Sequence, residues 1–394
     1  MRLLSIANGF SAMLGLFTLL LGVGLAGCAG SHSKPGETSA SPKATLSAKD
    51  AQLPKDPALG SLLGLAVGDA LGTTHEFKLL AAPPFPQLAA GPLSTIVGEG
   101  PFRCSPGEVT DDTQLAITLA RSLAEHRRLE PQDLGRRYVA WSGRAFDIGT
   151  VTRASLGLIA RGTPAEEAGL AQWVASGQTA SGNGSLMRTA PIGVFYAEDE
   201  RARREASLAE SAITHADPRC QLACAAFNAA IARAVQARAT ADLTEAMTAA
   251  AERELPQAAD RLKEKLPGHA VRVEQALEDL RVDLAMARAG DPRLYTEDPP
   301  GLHLHGQMGF VRVAFRLAFW ELRHAPTFQA ALVDVVNRGG DADTNGAITG
   351  ALLGARHGLD AIPAAWRTAV EHGRNRLGGA YHPRFFRSFV DRLP

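Results

Sequence analysis

The segment that most constrains this chain is an acidic stretch that runs directly into a run of small residues. Two glycines precede Asp341 and Asp343, and Thr344 follows them. Residues 346–354 are then small or apolar, a composition that predicts a helix packed closely on its neighbours. Carboxylates at a helix start face the positive end of the helix dipole. Alone, the stretch is typical of an acidic helix cap, although its converging oxygens also suit a hard cation.

A second acidic helix start lies far upstream and changes that balance. Thr110, Asp111 and Asp112 again combine a hydroxyl with adjacent carboxylates, and Leu115 and Leu119 follow at helical spacing. Adjacent carboxylates repel each other, so a simple cap rarely uses both, and a bound cation would remove the repulsion. Because both clusters offer oxygen ligands without histidine or cysteine, they predict Mg²⁺ or Mn²⁺ rather than zinc or copper.

Residues 58–72 are apolar on nearly every face and rich in glycine, which predicts a buried helix packed closely on its neighbours. The segment is too short to span a membrane. Asp69 lies inside it, and a buried carboxylate must be paired, protonated or bound to a metal. We expect Asp69 to accept hydrogen bonds from nearby backbone or loop groups. Glu76 follows this helix and lies within reach of a site at its end.

The remaining sequence favours helices over sheets. Alanine, leucine and glycine are abundant, aromatic residues make up 6% of the chain, and alternation of apolar and polar residues is scarce. We expect a long loop over 81–109, helices over about 208–288 and a buried helix over 308–321. The prediction is an all-α fold, and the net charge of zero gives no indication of a nucleic-acid partner.

Three further segments carry polar residues in loops. Residues 181–185 have the sequence Ser-Gly-Asn-Gly-Ser and precede a helix, and such a loop can present backbone N–H groups to a phosphate. Asp147 lies in a turn before a short helix, and His215 lies in another turn. Each is a weak signal by itself, because many helix starts look alike and a lone histidine is more often structural.

The cysteines do not indicate a metal site. Cys220 and Cys224 are one helical turn apart, which is unfavourable for a disulfide, and the familiar four-ligand zinc spacings are absent. We expect core or partly exposed thiols, and a bridge involving Cys104 remains open in an oxidising compartment.

The N-terminus is typical of a bacterial lipoprotein. Arg2 is the only charged residue before Lys34, an apolar run follows it, and small residues precede Cys28. We therefore predict a signal peptide over 1–27, lipidation of Cys28 and a Ser/Pro-rich tether over 28–55. The alternative is an uncleaved anchor, because the apolar run is long enough to span a bilayer. Residues 56–394 would then form the folded domain.

These motifs occur together across about residues 58–370. They are residues 64–72 with 76–77, 110–113, 147–149, 181–188, His215 and 340–344. In this combination the chain resembles the ADP-ribosylglycohydrolases, and is most similar to the arginine-specific branch of the dinitrogenase-reductase-activating glycohydrolase. The resemblance implies a compact, single-domain, orthogonal helical bundle with two Mg²⁺ or Mn²⁺ ions at the base of a cleft.

The resemblance also implies roles for individual residues. The metal-ligand positions are Thr110, Asp111, Asp112, Asp341, Asp343 and Thr344. The catalytic positions are Asp147, which assists bond cleavage, Glu76 at the metal site or its gate, and Asp112. The substrate-binding positions are Ser181, Gly182, Asn183, Gly184, Ser185 and His215, with the loop holding the pyrophosphate.

The function that follows is metal-dependent hydrolysis of ADP-ribosylated protein side chains, with ADP-ribosyl-arginine as the expected linkage. The alternatives are another linkage, such as serine or an acylated ADP-ribose, or a non-catalytic binder of ADP-ribose or of a partner on the same scaffold. We expect a monomer anchored in the bacterial cell envelope. A location in the cell envelope raises the hypothesis that the enzyme provides immunity against an ADP-ribosylating toxin.

Overall fold

The computed structural model describes residues 56–237 and 242–394 of the chain. The predicted signal peptide, Cys28 and the predicted tether lie outside these ranges. Within them the regular structure is helical, and pairing between extended segments is limited to isolated bridges, such as that between Gly182 and Phe310. The predicted all-α fold class is confirmed.

The described residues form fifteen α-helices joined by loops and short 3-10 turns. They are α1 (Pro57–Gly72), α2 (Asp111–His126), α3 (Pro131–Ser142), α4 (Thr150–Ala160), α5 (Ala165–Ala175), α6 (Ala190–Phe195), α7 (Glu200–Ala212), α8 (Pro218–Val235), α9 (Leu243–Lys265), α10 (Ala270–Arg288), α11 (Val311–His324), α12 (Phe328–Asn337), α13 (Ala342–His357), α14 (Ala364–His372) and α15 (Phe385–Val390).

The helices α1 and α13 form an antiparallel pair whose backbones approach very closely. A Cβ atom at Gly64 would lie 2.2 Å from the carbonyl oxygen of Gly350, and one at Gly68 would lie 1.9 Å from that of Gly346. Side chains larger than hydrogen would therefore force the two helices apart. Both helices are buried along almost their whole length, which explains the small-residue composition that the sequence shows.

Other helices surround this pair and hold it in place. α13 also packs against α8, α11 and α12, and α8 in turn contacts α9 and α10. The core between these helices is filled by large side chains that are fully buried, including Phe227 in α8, Phe315 in α11 and Phe328 in α12. The start of α13 and the end of α1 are thus fixed by packing before any ligand is considered.

Two observations bear on the cysteines and on the membrane. Cys104, Cys220 and Cys224 are buried free thiols, so a bridge involving Cys104 does not form among them. In the part of the chain that the structure describes, no helix combines the length and apolar character needed to cross a bilayer.

Candidate functional site

Three helix ends meet at one point of the molecule. Because α1 and α13 are antiparallel, the C-terminal end of α1 lies beside the N-terminal end of α13. The start of α2 joins them through Asp69, which lies in the last turn of α1. Both oxygens of this carboxylate accept the backbone N–H of Thr110, at 3.0 Å each. The prediction that Asp69 is hydrogen-bonded to a loop is confirmed.

The turn before α13 is shaped by two glycines in the left-handed region. Gly339 has φ 70° and Gly340 has φ 71°, and a Cβ at Gly339 would lie 2.1 Å from the carbonyl oxygen of Lys78. The N–H of Phe77 donates to the carbonyl of Gly340 at 2.8 Å. This pairing places Glu76 next to Asp343, whose backbone N–H donates to the Glu76 carboxylate at 3.2 Å.

The convergence creates two overlapping groups of carboxylates. Asp69, Asp112 and Asp343 each offer an oxygen, and these oxygens lie within 4.8 Å of one another. Glu76, Asp341 and Asp343 form a second group by the same measure, so Asp343 belongs to both. Two adjoining oxygen-only groups with a shared carboxylate are a suitable ligand set for two hard divalent cations.

Buried oxygens without partners support this fit. Oδ1 of Asp112 and Oδ2 of Asp343 are buried and receive no hydrogen bond from the described residues. An ionised carboxylate in that state is costly unless a cation or a proton neutralises it. Burial raises the pKa of both carboxyls well above the ordinary value, with further increases from neighbouring acids. The donors and their geometry therefore fit a metal centre better than a simple helix cap.

The pKa values of the other acids in this cluster are raised as well. Burial, opposed by hydrogen bonds from Thr113 and Thr110, raises the pKa of Asp69 to about 6. Burial and the charges of Asp69 and Asp341 raise the pKa of Asp111 to about 7. Burial, followed by repulsion from Asp341, raises the pKa of Glu76 well above its usual range. Without cations, the cluster must hold protons near neutral pH.

Part of the carboxylate cluster lines a cleft of about 450 Å³. Its lining includes Glu76, Asp111, Asp147, Asp341, Asp343 and Thr344, together with Gly182, Asn183, Gly184 and His215. The structure thus brings together most of the site residues that the sequence indicates. Thr110 and Asp112 lie beneath the cleft surface, where the hydroxyl of Thr110 lies 3.0 Å from both Asp69 and Asp112.

Asp147 projects from the turn before α4, lines the cleft and contacts the carboxylate cluster at Asp111. It shares a side-chain hydrogen bond with Asp111. Burial and the charges of Asp111 and Glu76 raise the pKa of Asp147 to about 10. Two adjacent carboxyls that share a hydrogen bond cannot both be ionised cheaply, so one of them holds a proton in the absence of cations.

The glycine loop at 181–185 divides into residues that face the cleft and residues that do not. The side-chain amide of Asn183 donates to Asp341 at 2.6 Å, which connects the loop to the carboxylate cluster. Gly182 and Gly184 lie on the cleft wall. Ser185 is fully buried, and its hydroxyl accepts a hydrogen bond from Ser211 at 2.8 Å. The Ser181 hydroxyl donates to the carbonyl of Thr179 instead of lining the cleft.

His215 lies between the loop and the interior. A Cβ at Gly184 would lie 3.0 Å from its Nε2 atom, so the imidazole edge faces the loop. Burial and the charge of Arg188 lower the pKa of His215 to about 3, so the ring is neutral at physiological pH.

Sequence reasoning missed two parts of the site. Asp69 accepts the hydrogen bonds that the sequence predicted, and it also lies in the first carboxylate group, because its contact with Thr110, 41 residues away in the chain, brings it close to Asp112. Met308 and Gly309 form part of the cleft wall because the N–H of Asn183 donates to the carbonyl of Gly309 at 2.9 Å. The only local signal for this wall was the glycine at 309, which has φ 78°.

The fold and the cleft together define an all-helical protein with a candidate centre for two cations beside a glycine loop. Comparison with known proteins agrees with this description. A family model described as ADP-ribosylglycohydrolase matches residues 50–392. The chain therefore belongs to the ADP-ribosylglycohydrolase family, and it is a glycohydrolase enzyme.

Several individual proteins are similar over most of their length. An ADP-ribosyl-[dinitrogen reductase] glycohydrolase of Rhodospirillum rubrum is 28% identical over 326 residues, which cover 80% of this chain and 90% of the relative. An ADP-ribosylarginine hydrolase of Pseudomonas putida is 29% identical over 324 residues, which cover 79% and 73%. A solved structure titled ADP-ribosylglycohydrolase-related protein complex superposes with a TM-score of 0.59 at 29% identity, covering 86% of this chain and 96% of that chain.

Proposed function

We propose that this enzyme hydrolyses ADP-ribosyl-arginine in modified proteins and that the reaction depends on two divalent cations. The observation that carries the proposal is the pair of carboxylate groups that share Asp343 at the base of the cleft. Two relatives with 28% and 29% identity are named for an ADP-ribosylated dinitrogen reductase and for ADP-ribosylarginine, which supports arginine as the linkage.

The residues that would hold the cations are those of the two groups, Asp69, Glu76, Asp112, Asp341 and Asp343, with Thr110, Asp111 and Thr344 beside them. When bound, Mg²⁺ or Mn²⁺ supplies positive charge that orients hydroxyl and water oxygens and makes water more acidic. The same charge lets the buried carboxylates remain ionised next to one another.

Other groups that line the cleft would bind the substrate and transfer a proton. The glycine loop and His215 would bind the diphosphate of ADP-ribose, because they place small residues and a neutral imidazole along one wall of the cleft. Asn183 would hold the glycine loop in a fixed position relative to the carboxylates through its hydrogen bond to Asp341. Asp147 also lines the cleft, where a carboxyl group can transfer a proton at the bond that is cleaved.

The linkage can be tested with a panel of substrates. The full chain in detergent and excess Mg²⁺ would be incubated with an ADP-ribosyl-arginine peptide, an ADP-ribosyl-serine peptide and an acylated ADP-ribose, and free ADP-ribose would be quantified. We expect the arginine peptide to react fastest. Faster release from either other substrate would reassign the linkage while leaving the hydrolase chemistry intact.

Two matched variants distinguish a loss of the carboxylate site from a general effect of an Asp-to-Asn substitution. Asp112→Asn should lower kcat by about 100-fold or more, because it removes a buried carboxylate from the first group. Asp199→Asn makes the same chemical change at the exposed start of α7, where asparagine also caps well, and should leave the rate unchanged. If the wild type binds ADP-ribose but releases none from any substrate, the alternative of a binding protein replaces the proposal.

We also propose that Cys28 carries an acyl group and that the enzyme is anchored in the bacterial cell envelope. The proposal rests on the residues before Cys28, which lie outside the described part of the chain. Wild type should sediment with membranes, and Cys28→Ser should retain its signal peptide and lose incorporation of labelled palmitate. Equal palmitate labelling of both proteins would contradict the anchor.

A further inference from the structure

A fully buried arginine links the glycine loop to His215. The guanidinium of Arg188 donates to the carbonyl of Gly184 at 3.0 Å, to the carboxylate of Glu210 at 2.7 Å and to the hydroxyl of Thr214 at 2.8 Å. Arg188, Glu210 and Thr214 are each completely buried. This arginine therefore holds a fixed orientation, and each of its contacts is shielded from water.

The hydroxyl of Thr214 connects Arg188 to the imidazole. Its oxygen lies 2.8 Å from Nδ1 of His215, and among the described residues its only partners are Arg188 and His215. Arg188 cannot accept a hydrogen bond, so the hydroxyl proton of Thr214 must point to Nδ1 or remain unpaired. A buried donor without an acceptor is costly, and the arrangement that satisfies every group makes Nδ1 the acceptor.

An imidazole that accepts at Nδ1 and is neutral carries its proton on Nε2. The Nε2 atom has no hydrogen-bond partner in the described part of the chain. It faces the glycine loop, since a Cβ would lie 3.0 Å from it at Gly184 and 3.4 Å from it at Gly182. An N–H group on this edge of the ring can donate only to something that enters the cleft.

We infer that Arg188 and Thr214 are positioning residues that hold His215 as its Nε2–H tautomer, so that the ring donates a hydrogen bond to a diphosphate oxygen of ADP-ribose. The charge of Arg188 is paired with Glu210, and this fully buried side chain does not line the cleft. The donor at this wall is therefore an uncharged N–H whose direction is set by a buried network. The identity of the ligand rests on the proposed function, whereas the tautomer does not.

The tautomer can be measured without any substrate. The two ring nitrogens of a neutral histidine have clearly separated ¹⁵N chemical shifts, because only one of them is protonated. The full chain labelled at its histidines would be recorded near neutral pH with Mg²⁺, and the His215 signals would be assigned as those missing from His215→Gln. A protonated Nε2 is expected, and a protonated Nδ1 would overturn the inference even if the enzyme proves to act on another substrate.

Two matched variants test the effect on binding. Thr214→Val keeps the shape of the side chain and removes its hydroxyl, whereas Thr214→Ser keeps the hydroxyl. In calorimetry with ADP-ribose, Thr214→Val should weaken binding by about tenfold, and Thr214→Ser should bind like the wild type. On the arginine peptide, KM should rise in Thr214→Val while kcat changes less than about twofold.

The outcomes distinguish positioning from simple support of the fold. A mixture of His215 tautomers in Thr214→Val, together with a wild-type spectrum in Thr214→Ser, supports the inference. Equal ADP-ribose affinity in the two variants, when both are folded, would overturn the link between the tautomer and the ligand. If the wild type itself does not bind ADP-ribose, the proposed function fails, and the ¹⁵N spectrum still decides the tautomer.

Discussion

At the scale of single residues, the carboxylate cluster lowers the stability of the metal-free protein. Asp112 and Asp343 each bury an oxygen that no described group satisfies, and other acids lie close to both. Burial and repulsion raise the pKa of these carboxyls, so folding without cations requires them to take up protons. A protein that tolerates such a cluster is expected to gain stability when the cluster is neutralised.

Asp343→Asn tests this at one position. The substitution removes a carboxyl whose pKa is raised well above the ordinary value, so the metal-free protein should become more stable at neutral pH by about 1 kcal/mol or more. Urea unfolding in EDTA measures the change, and the stabilisation by Mg²⁺ should shrink in the same variant. A less stable apo variant would show that Asp343 makes favourable contacts that outweigh the repulsion.

At the scale of elements, the carboxylates are brought together by the packing of α1 on α13. Glycines on α1 face backbone carbonyls of α13, and the antiparallel register places the end of one helix beside the start of the other. The close approach is therefore a requirement of the site as well as of the core.

Alanine substitutions distinguish this contact from ordinary helical glycine. Gly64→Ala would place a methyl group 2.2 Å from the backbone oxygen of Gly350 and should destabilise the protein by about 1–3 kcal/mol. Gly157→Ala is the matched control in α4, where the new methyl meets only the flexible end of Arg161, and it should stabilise by about 0.5–1 kcal/mol. Thermal unfolding of both variants checks the signs, and equal effects would contradict the packing argument.

Element starts were predictable because their signals are local. The acidic clusters predicted helix starts at 110–112 and 341–344, and α2 begins at Asp111 and α13 at Ala342. The buried helix expected over 308–321 begins at Val311 instead. The two residues before it pair with the glycine loop, as in the bridge between Gly182 and Phe310. That pairing joins segments more than 120 residues apart, so local periodicity carries no information about it.

At the scale of the whole molecule, proton binding and cation binding compete for the same carboxylates. Without cations, the folded protein holds protons on Asp69 and Asp111, whose pKa values are about 6 and 7. The unfolded chain releases these protons at lower pH. The folded state therefore binds more protons than the unfolded state in this range, and stability falls as pH rises. Cations bind the ionised form, so their effect should grow as protons leave.

The melting temperature in EDTA should accordingly fall between about pH 5.5 and about pH 8, and the increase caused by excess Mg²⁺ should be larger at the higher pH. His215, whose pKa is lowered to about 3 by burial, acts in the opposite direction, but its contribution is the same with and without Mg²⁺ and cancels in the difference. Differential scanning calorimetry at three pH values measures both trends. A Mg²⁺ effect that is larger at about pH 5.5 would contradict the assignment.

The cleft depends on the fold of the whole molecule, and the sequence predicted it only through resemblance to a family. Its walls come from Asp147 before α4, the glycine loop before α6 and Met308 before α11. No local pattern indicates that these segments are neighbours, because the helices that separate them decide their placement. Residue types at the site could be read from motifs, whereas the proximity of Asp69 to Asp112 and Asp343 required three-dimensional contacts.

The most direct test of the account is a metal titration of the reaction. The full chain would be stripped with EDTA, dialysed and titrated with Mg²⁺ or Mn²⁺ while ADP-ribose release from an arginine-ADP-ribosylated peptide is recorded. We predict no release without cations, recovery that saturates at two bound ions per chain, and no recovery in Asp343→Asn, the residue common to both carboxylate groups. Full activity in excess EDTA, or full recovery in Asp343→Asn, would contradict the central claim.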